Sequence, residues 1–171
     1  MRKRIGPVIL FGLGAAVIVG GLAYWQFLQA IERPSAAALP ETLAGLPQVE
    51  ARFGPDAVAV VADLHGKQFP LSSGAYGMYG EHGRMAMLWV AGTPAKAMAA
   101  RMVAEMEEAI AKGESPFTPT GTREVNGRTL YELTGMGQRH FYFQSGSLVV
   151  WLAADEPITT VALEEAMQFY P

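Results

Sequence analysis

Between Val8 and Trp25 the chain carries no charged residue, and only glycines interrupt the apolar run. At about 1.5 Å per residue, a helix over this stretch crosses a hydrocarbon core of roughly 30 Å. This limits everything downstream. The chain divides into a short tail (1–5), a transmembrane helix acting as signal anchor (6–30), a linker (31–40) and a separate domain (41–171).

Arg2, Lys3 and Arg4 precede the span, whereas Glu32 and Arg33 beyond it cancel. The positive-inside rule then predicts a cytoplasmic N-terminus and an extracytoplasmic domain. Tyr24, Trp25 and Phe27 gather at the far end, where amphipathic rings settle at the headgroup level. Phe27-Leu28-Gln29-Ala30 would serve as a cleavage site, but the apolar run is longer than the usual signal-peptide core, which favours an uncleaved anchor. Gly12, Ala16 and Gly20 fall four apart and form a small-residue face on which another helix can approach. The partners expected are the lipid bilayer and another membrane protein, or a second copy held through this helix.

Charge narrows the domain's partners. Three of the 13 Lys and Arg lie before the span, leaving ten against 16 Asp and Glu. A domain with that excess of acid is a poor ligand for nucleic acid, and none is expected. With no cysteine, there are no disulfides, no thiol catalysis and no thiolate metal sites.

The segment RPSAAALP (33–40) reads as a proline-bounded linker. Gly54-Pro55-Asp56 opens a short helix with Ala57, Val60, Val61 and Leu64 on one side, closed by Gly66. Strands follow at 75–79 and 84–91, turned by Glu81-His82-Gly83, and the second is apolar on both faces. Thr93-Pro94 caps and starts a helix to Lys112, with Met98, Met102, Met106 and Ile110 on one stripe. Asn126-Gly127 marks a hairpin between 120–125 and 128–133. A break at Gly135-Met136-Gly137 leads to another hairpin, 139–144 with 148–153. Asp155-Glu156-Pro157 starts the last helix, with Leu163, Ala166, Met167 and Tyr170 in phase.

LWVAGTP (88–94) and VWLAADEP (150–157) match in residue class, and each follows a strand and a glycine turn and precedes a helix. The expected fold is α+β: an antiparallel sheet with helices on one face, built from two ββα-like repeats plus an extra hairpin.

Chemistry is harder to find. The chain has no nucleophile elbow, phosphate loop, His-Glu-x-x-His or dinucleotide fingerprint, and it has three histidines. His65 suits a helix C-terminus, and His82 a solvated turn. If Phe141, Phe143, Leu148, Val150 and Leu152 enter the core, then His140, Tyr142, Gln144, Val149 and Trp151 share the other face. His140, Tyr142, Gln144 and Trp151 are the candidate binding residues, on a face expected to be open to a partner or ligand. Met85, Met87, Met98, Met102 and Met106 could supply soft ligands to copper(I). Methionines at helical spacing are ordinary core filling, however, so neither a metal nor a cofactor is expected. The functional expectation is a non-enzymatic, membrane-anchored binding or assembly module, an accessory subunit or sensor of a membrane complex. The alternative is a carrier of a small ligand or copper.

Overall fold

The computed structural model describes residues 5–65 and 69–171. The Arg2-Lys3-Arg4 cluster and Gly66 lie outside the described residues, as does the side chain of His65. Helix α1 runs Ile5–Glu32. Its stretch Val8–Glu32 has a mean hydropathy of 2.1, is long enough to cross a membrane, and is nowhere buried by the rest of the chain.

The segment expected to be a free linker is instead bound to the domain. Strand β1 (Ser35–Ala36) pairs in parallel with the start of β4 (Ser73–Glu81). Ala37 N–H then donates to the Gly74 carbonyl at 3.0 Å. The Ala38 and Pro40 carbonyls accept the hydroxyls of Tyr170 and Tyr79, each at 2.8 Å. Apolar small residues let this strap lie flat, and the two buried tyrosines satisfy carbonyls that a core would otherwise leave unpaired. Only Arg33 and Pro34 separate α1 from β1. The strap turns through β2 (Thr42–Leu43) into β3 (Leu46–Phe53), with Leu43 and Leu46 fully buried. At the end of β3, Gly54 has φ +57, and a Cβ there would sit 2.9 Å from the Pro34 carbonyl oxygen. Glycine is therefore required where the strap crosses.

Helix α2 (Pro55–His65) starts at the expected proline. Hairpin β4–β5 (β5, Arg84–Gly92) turns at His82-Gly83, both at positive φ. Helix α3 spans Lys96–Ala111, without the Thr93 cap expected for it. Thr93 is buried, and its hydroxyl donates to the Ala95 and Ser147 carbonyls, which ties two loops together. A continuous meander follows: β6 (Thr118–Val125), β7 (Arg128–Gly135), β8 (Gln138–Ser145) and β9 (Leu148–Ala154). The expected break at Met136-Gly137 is itself a two-residue hairpin turn between β7 and β8. A single 3-10 turn, Glu156–Ile158, leads into α4 (Thr159–Phe169).

The nine strands among the described residues form one sheet, in the order β2-β3-β4-β5-β9-β8-β7-β6 with β1 on β4, and the class is α+β. The expectation of helices on one face is corrected. Ala162, Leu163, Ala166 and Met167 of α4, with the strap, cover Leu88, Val90, Phe141, Phe143, Val150 and Leu152. Ala99, Met102, Val103, Met106 and Ile110 of α3, with Val61 of α2, cover Ala91, Leu133, Tyr142 and Val149 on the opposite face. Strands apolar on both faces need a cover on both, and one helix layer cannot supply it. The two segments that resemble each other lie side by side, with Trp89 directly opposite Trp151. Their following helices go to opposite faces, so any twofold relation stops at the strands.

Candidate functional site

Five aromatic side chains cross the sheet in register on the α3 face: Tyr76, Trp89, Trp151, Tyr142 and Tyr131, on β4, β5, β9, β8 and β7. Alternation along each strand sends them all to one side. Ring centroids are 5.4 Å apart for Tyr76 and Trp89, 5.3 Å for Trp151 and Tyr142, and 4.4 Å for Tyr142 and Tyr131.

His140 sits beside this row. Trp151 Nε1–H donates to its Nδ1 at 3.1 Å, and its Nε2 lies 3.0 Å from the Gly135 carbonyl oxygen. Since Nδ1 must accept, the proton resides on Nε2, and both ring nitrogens are engaged by the neutral form. Phe117 closes over the pair, its ring centroid 4.5 Å from His140 and 5.0 Å from Trp151. Gly135 makes room for it, since a Cβ there would fall 2.6 Å from Phe117 Cδ1. Burial pushes the His140 imidazole below its ordinary value, against a smaller opposing effect of the Gly135 carbonyl. Burial also raises the Tyr142 phenol far above its ordinary value, with smaller contributions from Tyr131 and Glu107.

The structure therefore brings three of the four candidate residues together, but as packing. His140 is 3% exposed and Tyr142 1%, while Trp151 is half-buried at the edge of the α3 cluster. The open face expected on this hairpin is covered by α3 and Phe117. The reason is stoichiometric: the methionine stripe of α3 needs an apolar sheet face, and this is the one it meets. The two-sided apolarity of 84–91 was a signal that both faces would be taken.

Gln144 alone reaches a surface groove. Its Nε2 donates to the Lys96 carbonyl at 3.0 Å and the Gly146 carbonyl at 2.8 Å, fixing the start of α3 to the β8–β9 turn. The groove, of about 830 Å³, runs between α3 and the β6–β7 turn, lined by Lys96, Val103, Glu107, Arg128, Tyr131 and Gln144 among others. Sequence reasoning missed Arg128, whose guanidinium donates to the Met167 carbonyl at 3.0 Å and to the Tyr170 carbonyl. It caps α4 from a distant hairpin, a long-range pairing with no local signature. Tyr131 Oη donates to Glu107 Oε2 at 3.3 Å across the groove. Burial and the Glu107 carboxylate raise that phenol above its ordinary value. A basic mouth, one carboxylate and an aromatic wall suit recognition of a polar ligand or chain. Among the described residues, no three His, Cys, Asp or Glu are grouped so as to hold a metal.

Gly12, Ala16 and Gly20 lie on the exposed surface of α1, and a Cβ at Gly12 or Gly20 would meet nothing within 4 Å. Fold and site together define a class: one long apolar helix joined through a two-residue hinge to an α+β domain with helices on both faces of its sheet. No family model, curated protein or solved structure matches the chain.

Proposed function

We propose that the chain is a single-pass membrane protein whose extracytoplasmic domain has a non-enzymatic binding or assembly role beside another membrane component. The observation that carries this reading is α1, 28 residues long and with no residue of Val8–Glu32 buried, while the strap fastens its end to the sheet. An apolar helix of that length needs lipid or another helix around it. With two residues between helix and strap, the domain stays at the bilayer surface. The Arg2-Lys3-Arg4 cluster supports the outward orientation of the domain.

The test is association of the full chain in mild detergent, read by cross-linking and co-purification of membrane proteins. Gly12→Ile and Gly20→Ile should weaken the association by about tenfold or more, equivalent to about 1.4 kcal/mol, while Leu13→Ile leaves it unchanged. Equal behaviour of the three variants returns the glycines to mere composition. Protease added to spheroplasts should digest the domain; protection of the domain would reverse the orientation.

A further inference from the structure

Tyr76, Met78, Met85, Met87 and Trp89 all point to the α3 face of β4 and β5, yet they belong to neither buried cluster. Met85 is 40% exposed. Met102 and Met106, in contrast, are buried under α3 and act as core filling.

The register gathers these three methionines outside the clusters, Met85 exposed and Met78 and Met87 half-buried. Met78 is directly opposite Met87, and Met85 is directly opposite Gly80. They occupy three corners of one cross-strand square, and the fourth corner is a glycine. A Cβ built on Gly80 would meet only the Arg84 carbonyl oxygen at 3.5 Å and Val49 Cγ2 at 3.9 Å. The space above that corner is free of methionine atoms. Paired Cβ atoms stand about 4.5–5.5 Å apart and diagonal ones about 7–8 Å. A methionine has three rotatable bonds beyond its backbone, so the three sulfurs can turn inward over Gly80.

We propose that Met78, Met85 and Met87 form a three-thioether site for a soft monovalent cation, copper(I) or silver(I), above Gly80. Neutral, polarizable thioether sulfur selects such ions over calcium and magnesium, which favour oxygen, and over zinc, which favours anionic thiolate and imidazole. The carboxylates nearby already have partners: Glu50 pairs with Arg52 at 2.9 Å, Glu81 with Arg84 at 3.9 Å, and Asp155 accepts the Met85 N–H at 2.7 Å and the Gln138 side-chain amide at 2.9 Å. Sulfur, not a carboxylate field, therefore carries the binding. Trp89, two residues beyond Met87 on the same face, offers an aromatic ring to a cation and a fluorescent report of its arrival. The site is independent of the assembly reading, since it lies on the hairpin and not on the groove or helix.

The test uses the full chain in detergent, titrated with copper(I) under anaerobic conditions against a chromophoric copper(I) chelator. The wild type should retain one ion per chain, quenching tryptophan fluorescence in a way that Trp89→Phe removes. Substituting Met85 and Met87 with Leu conserves volume and leaves the thermal midpoint in place. It should weaken retention at least as much as the roughly 10–100-fold seen when even outer ligands are lost. Met102→Leu should change nothing. A thioether has no proton to lose, so affinity should be the same at pH 5.5 and pH 7.5, unlike that of a histidine or cysteine site. No retention by the wild type, retention undiminished in M78L/M85L/M87L, or a pH-dependent ion lost with His82→Ala would each overturn the proposal.

Discussion

Hairpins β4–β5 and β8–β9 each place a tyrosine opposite a tryptophan on the α3 face, with ring centroids 5.4 and 5.3 Å apart. They part company two residues upstream of the tyrosine, where one has Gly74 and the other His140. Val58 of α2 dictates the glycine, since a Cβ at Gly74 would sit 2.9 Å from its Cγ2. The tryptophans inherit the difference. Trp151 Nε1–H is accepted by His140, whereas Trp89 Nε1 is buried with no hydrogen-bond partner among the described residues. One hairpin is sealed by α3 and Phe117, while the other keeps Met78, Met85 and Met87 outside the core clusters. The two similar hairpins thus differ in what packs on them: α3 and Phe117 close over one, whereas α2 reaches the Gly74 end of the other and Met85 stays exposed at its far end.

The largest effect should come from emptying the sealed hairpin. Phe143→Ala and Tyr142→Ala each remove a buried ring and should each cost about 3–5 kcal/mol in urea unfolding. A silent Tyr142→Ala would mean that α3 does not cover this face, and the contrast would collapse.

Next in size is the indole bond. Trp151→Phe and Trp89→Phe remove the same ring atoms, but only the first strands an acceptor, His140 Nδ1, inside the fold. Trp151→Phe should be the more damaging by about 1–3 kcal/mol. Equal losses would show that the Trp89 donor is satisfied after all.

Acid should act on the same hairpin. The folded state binds neutral His140 and holds its pKa below the ordinary value of about 6.5. The unfolded chain therefore takes up the proton first. Stability is fully present above about pH 6.5 and is lost as pH falls from there through the folded pKa. The urea midpoint should drop over that window, and His140→Gln should remove the part of the drop that carboxylates do not cause. An unchanged pH profile in that variant would exclude the imidazole.

The smallest effect belongs to the exposed end of the β4–β5 hairpin, where Met85→Leu should move stability by no more than about 0.5 kcal/mol. A larger loss would place Met85 in the core.

Much of the order of elements was readable because it rests on local chemistry. Asn126-Gly127 turns a hairpin at positive φ as expected, and Leu163, Ala166, Met167 and Tyr170 share the buried side of the last helix and its end. The candidate site was not readable in the same way. His140, Tyr142 and Trp151 alternate as a half-buried strand would, and alternation says which residues share a face without saying what lies over it. The strap shows the same limit. RPSAAALP has the composition of a tether, but two tyrosines at positions 79 and 170 turn it into part of the core.

From its residues alone, then, this chain determines an apolar helix long enough to span a bilayer, the helices and the strands from β4 onward, and their turns, since each depends on neighbours within a few residues; β1, β2 and β3 carried no such local signal. Which face each helix covers, where Arg128 finds its carbonyls and why, among the described residues, only one of the paired indoles has an acceptor were decided by the tertiary structure. Those outcomes depend on contacts between segments distant in sequence, and no local pattern encodes the packing that brings them together.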